Sequence, residues 1–492
     1  LGTPIKPSFA ADLAATTGNR PCPETPGVNR ITGIETEYGC LVADETPQNA
    51  SDSWPVRLKN HLFKKEHIGA VDLHYRDYEE PPGNGGFLRN GGRLYVDMGH
   101  LEYASPECLD LKDLCAYDVA GDTLVQGAVS GLRAESRVSM IKNNVDHQTG
   151  ATFGCHENYL VRREMQFTPA ALGTLLSFLA TRQIYTGAGR VGQTNPLSFE
   201  YEPKPGGPVD FQLSQRADHI VNDIYQWVQF NRAIINARDE PLADHHRFRR
   251  LHLLVGDSNM SPFATGLKVG LTSLILTLME QECLPRHVVL HDAVVATREI
   301  SHIGTGRGAV KLADGRTRDA LDIQAEFLAH AQRYFTGRDE ETDWLLESWQ
   351  FVLECLENDQ ERLVGGVDWI SKRWLLDLFR TSEHLAWDDP WLQSLDLEYH
   401  NIDPERGLFF GLKAEPRIAE WNRQALRPAT LNIPPRNTRA HGRGLAVGWF
   451  LEHPKVNYLI NWDSMSINGE PPLPLPDPFE SSEAEVKKFL DI

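Results

Sequence analysis

No two of the seven cysteines form a C-x-x-C pair, and their number is odd. Free thiols in a reducing compartment are therefore expected, rather than a disulfide framework or a zinc site. Long hydrophobic runs are missing too: the longest, Val269 to Met279, is too short to span a bilayer and is flanked by Lys268. No charged start followed by an apolar core stands at the N-terminus, so no secretory signal is read. Positive charge is scarce, with 49 Lys and Arg against 68 Asp and Glu for a net −19. That balance argues against a general nucleic-acid or anionic-membrane binder, while a local basic groove stays compatible with it. The expectation is a cytoplasmic protein with neither nucleic acid nor membrane as partner.

What is present is enough for more than one core. At 492 residues the chain is expected to hold one large domain with an appendage, or two to three domains. Residues 1–29, rich in Pro, Gly, Thr and Ala, read as an unstructured extension. Residues 30–425 read as the main domain. A shift to Pro and Asn around Pro428 to Pro435 suggests a small C-terminal domain over 426–492. Apolar spacing near 3.6 predicts helices over Asp110 to Leu132, Thr168 to Ile184, Pro262 to Gln281, Ala320 to Phe335, Thr342 to Asn358 and Val367 to Arg380. The stretches Val138 to Asp146 and Phe153 to Arg163, joined through a glycine-containing turn, predict a hairpin.

Chemistry concentrates on the strands. In R-L-Y-V-D the period of two puts Arg93, Tyr95 and Asp97 on one face. The same period groups Glu35 with Glu37 between Gly33 and Gly39, a pairing suited to a hard divalent cation that binds phosphate. His156 shares a face with Asn158, and Arg250 with His252. Polar faces on strands are ordinarily solvated, and a lone histidine is ordinarily structural; the accumulation of several such faces is what points to a site. Gly187 to Gly192 spells G-x-G-x-x-G, but it follows a helical stretch instead of a strand, so a dinucleotide fingerprint is rejected. Oxygen ligands without paired cysteines favour Mg²⁺ over zinc, and arginines facing them favour a nucleotide polyphosphate. No G-x-x-x-x-G-K-[ST] occurs, so the site is not a P-loop. The residues alone thus suggest a Mg-ATP-dependent ligase or transferase built on a sheet.

Several longer runs narrow this. G-I-E-T-E-Y-G from Gly33, N-G-G-R-L-Y-V-D and E-Y-A-S-P-E-C around Asp97, K-N-N-V-D, G-C-H-E-N-Y-L, L-S-Q-R-A-D-H-I and R-R-L-H-L-L-V-G-D-S-N-M resemble the Pup ligase/depupylase family. That family belongs to the carboxylate-amine ligases related to glutamine synthetase. The likeness implies an α+β fold, with a glutamine synthetase-like antiparallel sheet packed with helices and a small C-terminal domain. It implies Glu35, Tyr95 and Glu102 as Mg²⁺ ligands, Arg93, Ser105 and Trp462 as ATP contacts, and Asp97 as the catalytic carboxylate; Arg250 and His252 join the nucleotide side. One arm of the family uses ATP to attach the C-terminal glutamate of the small protein Pup to lysines of target proteins, marking them for a bacterial proteasome. The other deamidates Pup or strips it from conjugates with ATP as a cofactor.

The motifs divide between the arms. F-L-R-N-G, G-D-S-N-M-S, V-D-W-I-S-K-R and the D-P-F before the last helix are similar to the ligase arm. P-E-C-x-D, G-R-V-G, W-D-S and the five-residue step from Asp97 to Glu102 are similar to the hydrolase arm. Because the ligase matches extend into the C-terminal domain, the reading is a ligase acting on a Pup-like modifier, with a deamidase or depupylase as the alternative. A ligase joining glutamate to a small amine and a non-catalytic Pup-binding homologue are further alternatives.

Overall fold

The computed structural model describes residues 29–43, 53–75, 80–132, 137–147, 149–193, 209–226 and 232–492. The extension read over 1–29 lies outside them, save for residue 29, as do parts of the loop between Gly39 and Phe87.

Among the described residues ten strands form one sheet. They are β1 (Thr32–Val42), β2 (Gly69–Val71), β3 (Gly85–Leu88), β4 (Arg93–Asp97), β5 (His100–Ala104), β6 (Val138–Ile141), β7 (Cys155–Arg162), β10 (Asn222–Tyr225), β11 (Ala233–Asn236) and β12 (Phe248–Leu253). A separate short pair is made by β8 (Arg190–Val191) and β9 (Phe211–Gln212). The sheet runs β10-β11-β12-β7-β1-β5-β4-β3-β2, with β6 also paired to β1. Every pairing is antiparallel except β10 with β11.

One sequence expectation is corrected here. The predicted turn is there, with Val145 bridged antiparallel to Thr152 and the Phe153 amide donating to the Asn144 carbonyl, but β6 and β7 themselves do not pair with each other. Both pair with the long strand β1, β7 along Thr32 to Thr36 and β6 along Gly39 to Val42. An eleven-residue strand offers one edge long enough for two short partners in succession, a long-range choice that local turn signals do not encode.

The far face of the sheet is apolar and carries the helices. Ile34, Tyr159, Val161, Leu251 and Leu253 join one core with the helices Pro169–Thr181, Pro262–Glu280, Ala320–Phe335 and Glu340–Asn358. Every residue from Pro262 to Met279 is buried, as befits a core helix. Helix starts follow their caps: Thr168 accepts from the Ala171 amide, Asp292 from Val295 and Asp339 from Thr342. Gly304, at φ +66°, closes the Ala293–Ile303 helix in the left-handed conformation that favours glycine. A charge pair driven deep into this side, Glu157 on β7 with Arg182, is bidentate and also bonded to Tyr159 and Thr272. Burial of an ion pair is tolerated when its remaining hydrogen-bonding groups are filled in this way.

At the other end, the helix Ala440–Glu452, the strand Tyr458–Ile460 and the helix Glu483–Leu490 share a small core with Ala70 of β2 and Phe87 of β3. The C-terminal residues are thereby packed onto the β2–β3 edge. The result is an α+β architecture with helices behind an antiparallel sheet whose polar side chains gather on the opposite face.

Candidate active site on the polar face

Register assembles the face. Across β4, β5 and β1, Tyr95 lies opposite Glu102 and Glu102 opposite Glu37. One row along, Arg93 lies opposite Ala104, Ala104 opposite Glu35, and Glu35 opposite His156 of β7. A third row aligns Gly33, Asn158, His252 and Asn236. Alternation along each strand sends all these side chains to one side.

Two groups result. The carboxylate oxygens of Glu37, Asp97 and Glu102 lie within 4.8 Å of one another, and so do the ligating atoms of Glu35, His156 and His252. The Tyr95 phenol donates to Glu102. Glu37 is oriented by the Gly154 amide at 2.9 Å and lies 3.6 Å from the His100 imidazole, which stacks on Phe153. Glu35 is 3.4 Å from both His156 Nδ1 and His252 Nε2, and 3.9 Å from Arg250.

Electrostatics differ sharply between them. Burial, together with the neighbouring charges of Glu37, Glu35 and Asp97, pushes the Glu102 carboxyl well above its usual range. Burial also acts against ionisation of Glu35, but the bonds from His156 and His252 and the charge of Arg250 outweigh it, so that its carboxyl falls well below the usual range. His252 itself is pushed down to about 4, chiefly by burial. Three converging carboxylates repel one another unless a cation stands between them, and an all-oxygen set suits a hard ion such as Mg²⁺. The donor chemistry therefore fits the ion that the sequence implied. Carboxylate plus two imidazoles suits a second divalent ion.

Beside these groups opens a cleft of about 110 Å³, lined by Gly33, Glu35, Ser105, Arg250, Trp462 and Arg439 among others. Four residues expected at the nucleotide or metal thus share one wall. The Ser105 hydroxyl is fixed there by accepting from the Ile34 amide at 3.0 Å. Arg93 is not on that wall. It stacks 4.2 Å over the Tyr95 ring and pairs with Asp72 at 3.2 Å and Glu80 at 3.0 Å.

Sequence reasoning missed the support behind Trp462. Fully buried Arg443 lies 4.6 Å from the Trp462 ring, donates to the Trp462 and Gly91 carbonyls, and joins Arg439 in binding Glu107. The i, i+4 spacing of Arg439 and Arg443 was readable, but nothing local pairs them with a residue more than 300 positions earlier. Likewise Glu35 and Glu37, read as one pair, serve two different groups, because strand neighbours two apart face different cross-strand partners.

Comparison with known proteins gives this geometry a family. Residues 30–466 match the model of the family described as Pup-ligase protein. The Pup–protein ligase of Acidimicrobium ferrooxidans is 36% identical over 94% of this chain and 98% of its own length. That of Corynebacterium efficiens is 37% identical over 95% of each chain. A crystal structure of the complex between Pup and its ligase PafA superposes with a TM-score of 0.79 at 33% identity, covering 95% of this chain and 92% of that one. PafA in complex with ADP superposes with a TM-score of 0.72 at 34% identity, over 89% and 94%. With such likeness running almost end to end through both the sheet and the C-terminal residues that wall its cleft, the chain belongs to the Pup-ligase family.

Proposed function

We propose that this protein is an ATP-dependent ligase joining the γ-carboxylate of the C-terminal glutamate of Pup, or of a Pup-like modifier, to lysine side chains of target proteins. One observation carries the reading: the carboxylates Glu37, Asp97 and Glu102 converge beside a cleft walled by Glu35, Ser105, Arg250 and Trp462. The relatives named Pup–protein ligase, and the PafA structures with Pup and with ADP, support the choice of modifier and nucleotide.

Glu35, Tyr95 and Glu102, aided by Glu37, would hold Mg²⁺, and His156 with His252 would complete a second cation position with Glu35. The ion, when bound, neutralises phosphate charge and makes the γ-phosphorus more electrophilic. The chain's own groups do the rest. Trp462 and Ser105 hold the nucleotide, and Arg250 compensates charge on its phosphates, while Arg93, paired with Asp72 and Glu80, stacks behind Tyr95. The modifier's γ-carboxylate attacks the γ-phosphorus, ADP leaves, and a γ-glutamyl phosphate forms. Asp97 takes a proton from the incoming lysine ammonium, whose pKa near 10.4 otherwise keeps it non-nucleophilic. The freed amine attacks the acyl carbon, and phosphate departs with the nitrogen's second proton, leaving an isopeptide bond.

The test is a mass measurement. The protein is incubated with ATP, Mg²⁺, Pup ending in glutamate and a lysine-bearing acceptor. Conjugate appearing together with ADP and phosphate is expected. Release of ammonia from Pup ending in glutamine, or cleavage of a ready-made conjugate without ADP formation, would overturn the reading in favour of the hydrolase arm.

A further inference from the structure

The hairpin that carries the proposed base breaks two local rules at its tip. β4 and β5 close on the pair Asp97 and His100, which leaves Met98 and Gly99 as a two-residue turn. Their φ angles are +45° and +90°. A turn with both central residues left-handed favours Asn, Asp or Gly at its first position, where a long side chain meets the steric cost of that region. Met98 takes that position, and it is 56% exposed. An apolar side chain standing in water on a strained backbone gains nothing from the fold. Conflicts of this kind gather where function compensates for them.

Position along the strands decides which substrate meets this tip. The nucleotide cleft is lined by Gly33, Glu35 and Ser105. On β4 it is Arg93 that shares the row of Glu35, and Asp97 comes four residues further on. That step is about 13 Å along a strand. Of the three converging carboxylates, Glu37 and Glu102 are buried, whereas Asp97 is partly exposed. The base is therefore reached from the hairpin tip, at the opposite end of the strand from the nucleotide, with Met98 next to it in the chain. A lysine whose ammonium meets Asp97 trails four methylenes, a stem of about 6 Å from nitrogen to Cα, back toward solvent past that tip. Such a stem is apolar and is covered best by an apolar neighbour. The flexible thioether of methionine adapts to stems presented by many different surfaces.

We propose that Met98 forms the acceptor-lysine subsite, packing on the methylenes of the incoming lysine while Asp97 receives its ammonium. This rests on the ligase reading and deepens it: selection of lysine over a shorter amine resides at the β4–β5 tip. Met98 touches the stem of the acceptor and none of the reacting atoms, so its contribution belongs to specificity and not to the chemical step.

Two acceptors separate this role from a structural one. Methylamine and Nα-acetyl-lysine amide both carry a protonated primary amine that Asp97 must deprotonate, but only the second has the stem. Each is offered with ATP, Mg²⁺ and Pup ending in glutamate, and its amide with Pup is counted by mass. Wild type is expected to favour the lysine compound in kcat/KM by about tenfold or more. Met98→Asn suits the turn better, so its thermal midpoint should be kept or raised. It should nevertheless lose about three- to tenfold of that preference, through a higher KM for the lysine compound. Met98→Leu restores an apolar contact and should keep the preference. Should Met98→Asn not fold, Met98→Gly takes its place against Met98→Leu. No preference in wild type, an unchanged preference in the folded polar or glycine variant, or an equal loss with both acceptors overturns the subsite alone. So does conjugation of a lysine-bearing protein with neither small amine accepted. Failure to conjugate all three acceptors overturns the ligase reading and the subsite with it.

Discussion

Tyr95 donates its phenolic hydrogen to Glu102, the residue directly opposite it across the β4–β5 pair. Both are buried, and burial together with the carboxylates of Glu102 and Glu35 holds the phenol far above its usual pKa. The bond aims the Glu102 carboxylate toward Glu37 and Asp97. Tyr95→Phe should therefore leave the fold intact and raise the Mg²⁺ concentration for half-maximal activity by about tenfold or more, as loss of an orienting partner does. A Mg²⁺ titration of ADP formation checks it; an unchanged midpoint would remove Tyr95 from the metal assignment. Chelation with EDTA should abolish conjugation, and added Mg²⁺ should restore it.

Asp97→Asn removes the proposed base without changing its shape. Conjugation should fall by about 10²-fold or more, the usual worth of a positioned base. ATP binding, followed with a fluorescent nucleotide, should survive. Loss of nucleotide affinity would mean that Asp97 shapes the cleft instead.

Trp462 walls the cleft, edge-on to Phe87 at 5.2 Å and backed by Arg443. Stacking on a base is worth about 1–3 kcal/mol. Trp462→Ala should weaken ATP binding by roughly 10- to 100-fold, with a smaller effect on the rate at saturating ATP. Equilibrium binding and the KM for ATP measure it together.

Glu107 is the shared anion for Arg439 and Arg443. Burial opposes its ionisation, but the two guanidiniums win and lower its carboxyl to about 2. Because the folded value lies below the unfolded one, this contribution to stability is fully present above about pH 4.5 and is lost as pH falls toward 2. Glu107→Gln leaves two buried guanidiniums without their counter-ion and should cost about 3–5 kcal/mol at neutral pH. Urea unfolding at pH 7 and pH 3 should show that cost narrowing at the lower pH. A cost independent of pH would assign Glu107 a packing role only.

Much of the polar face was legible before any fold was known. The R-L-Y-V-D run places Arg93, Tyr95 and Asp97 together because a strand repeats every two residues, and R-R-L-H does the same for Arg250 and His252. The long helices were equally plain: Ala320–Phe335 occupies the predicted span, while Asp368–Glu383 and Leu111–Gly131 lie within a few residues of theirs. These are local properties, decided by side-chain periodicity and capping, and the linear order of residues carries them in full.

Pairing across distance was not local, and only the tertiary structure decided it. β1 takes both β6 and β7 as partners; Glu35 goes to the imidazoles and Glu37 to the carboxylates; Arg443 reaches back to Glu107; and Arg216 arrives beside Phe153 with its Nε and Nη2 donors unfilled. A residue's chemistry is written in its side chain, but its partner is chosen by sheet register and by what burial leaves unsatisfied. Those two quantities exist only once the chain has closed on itself.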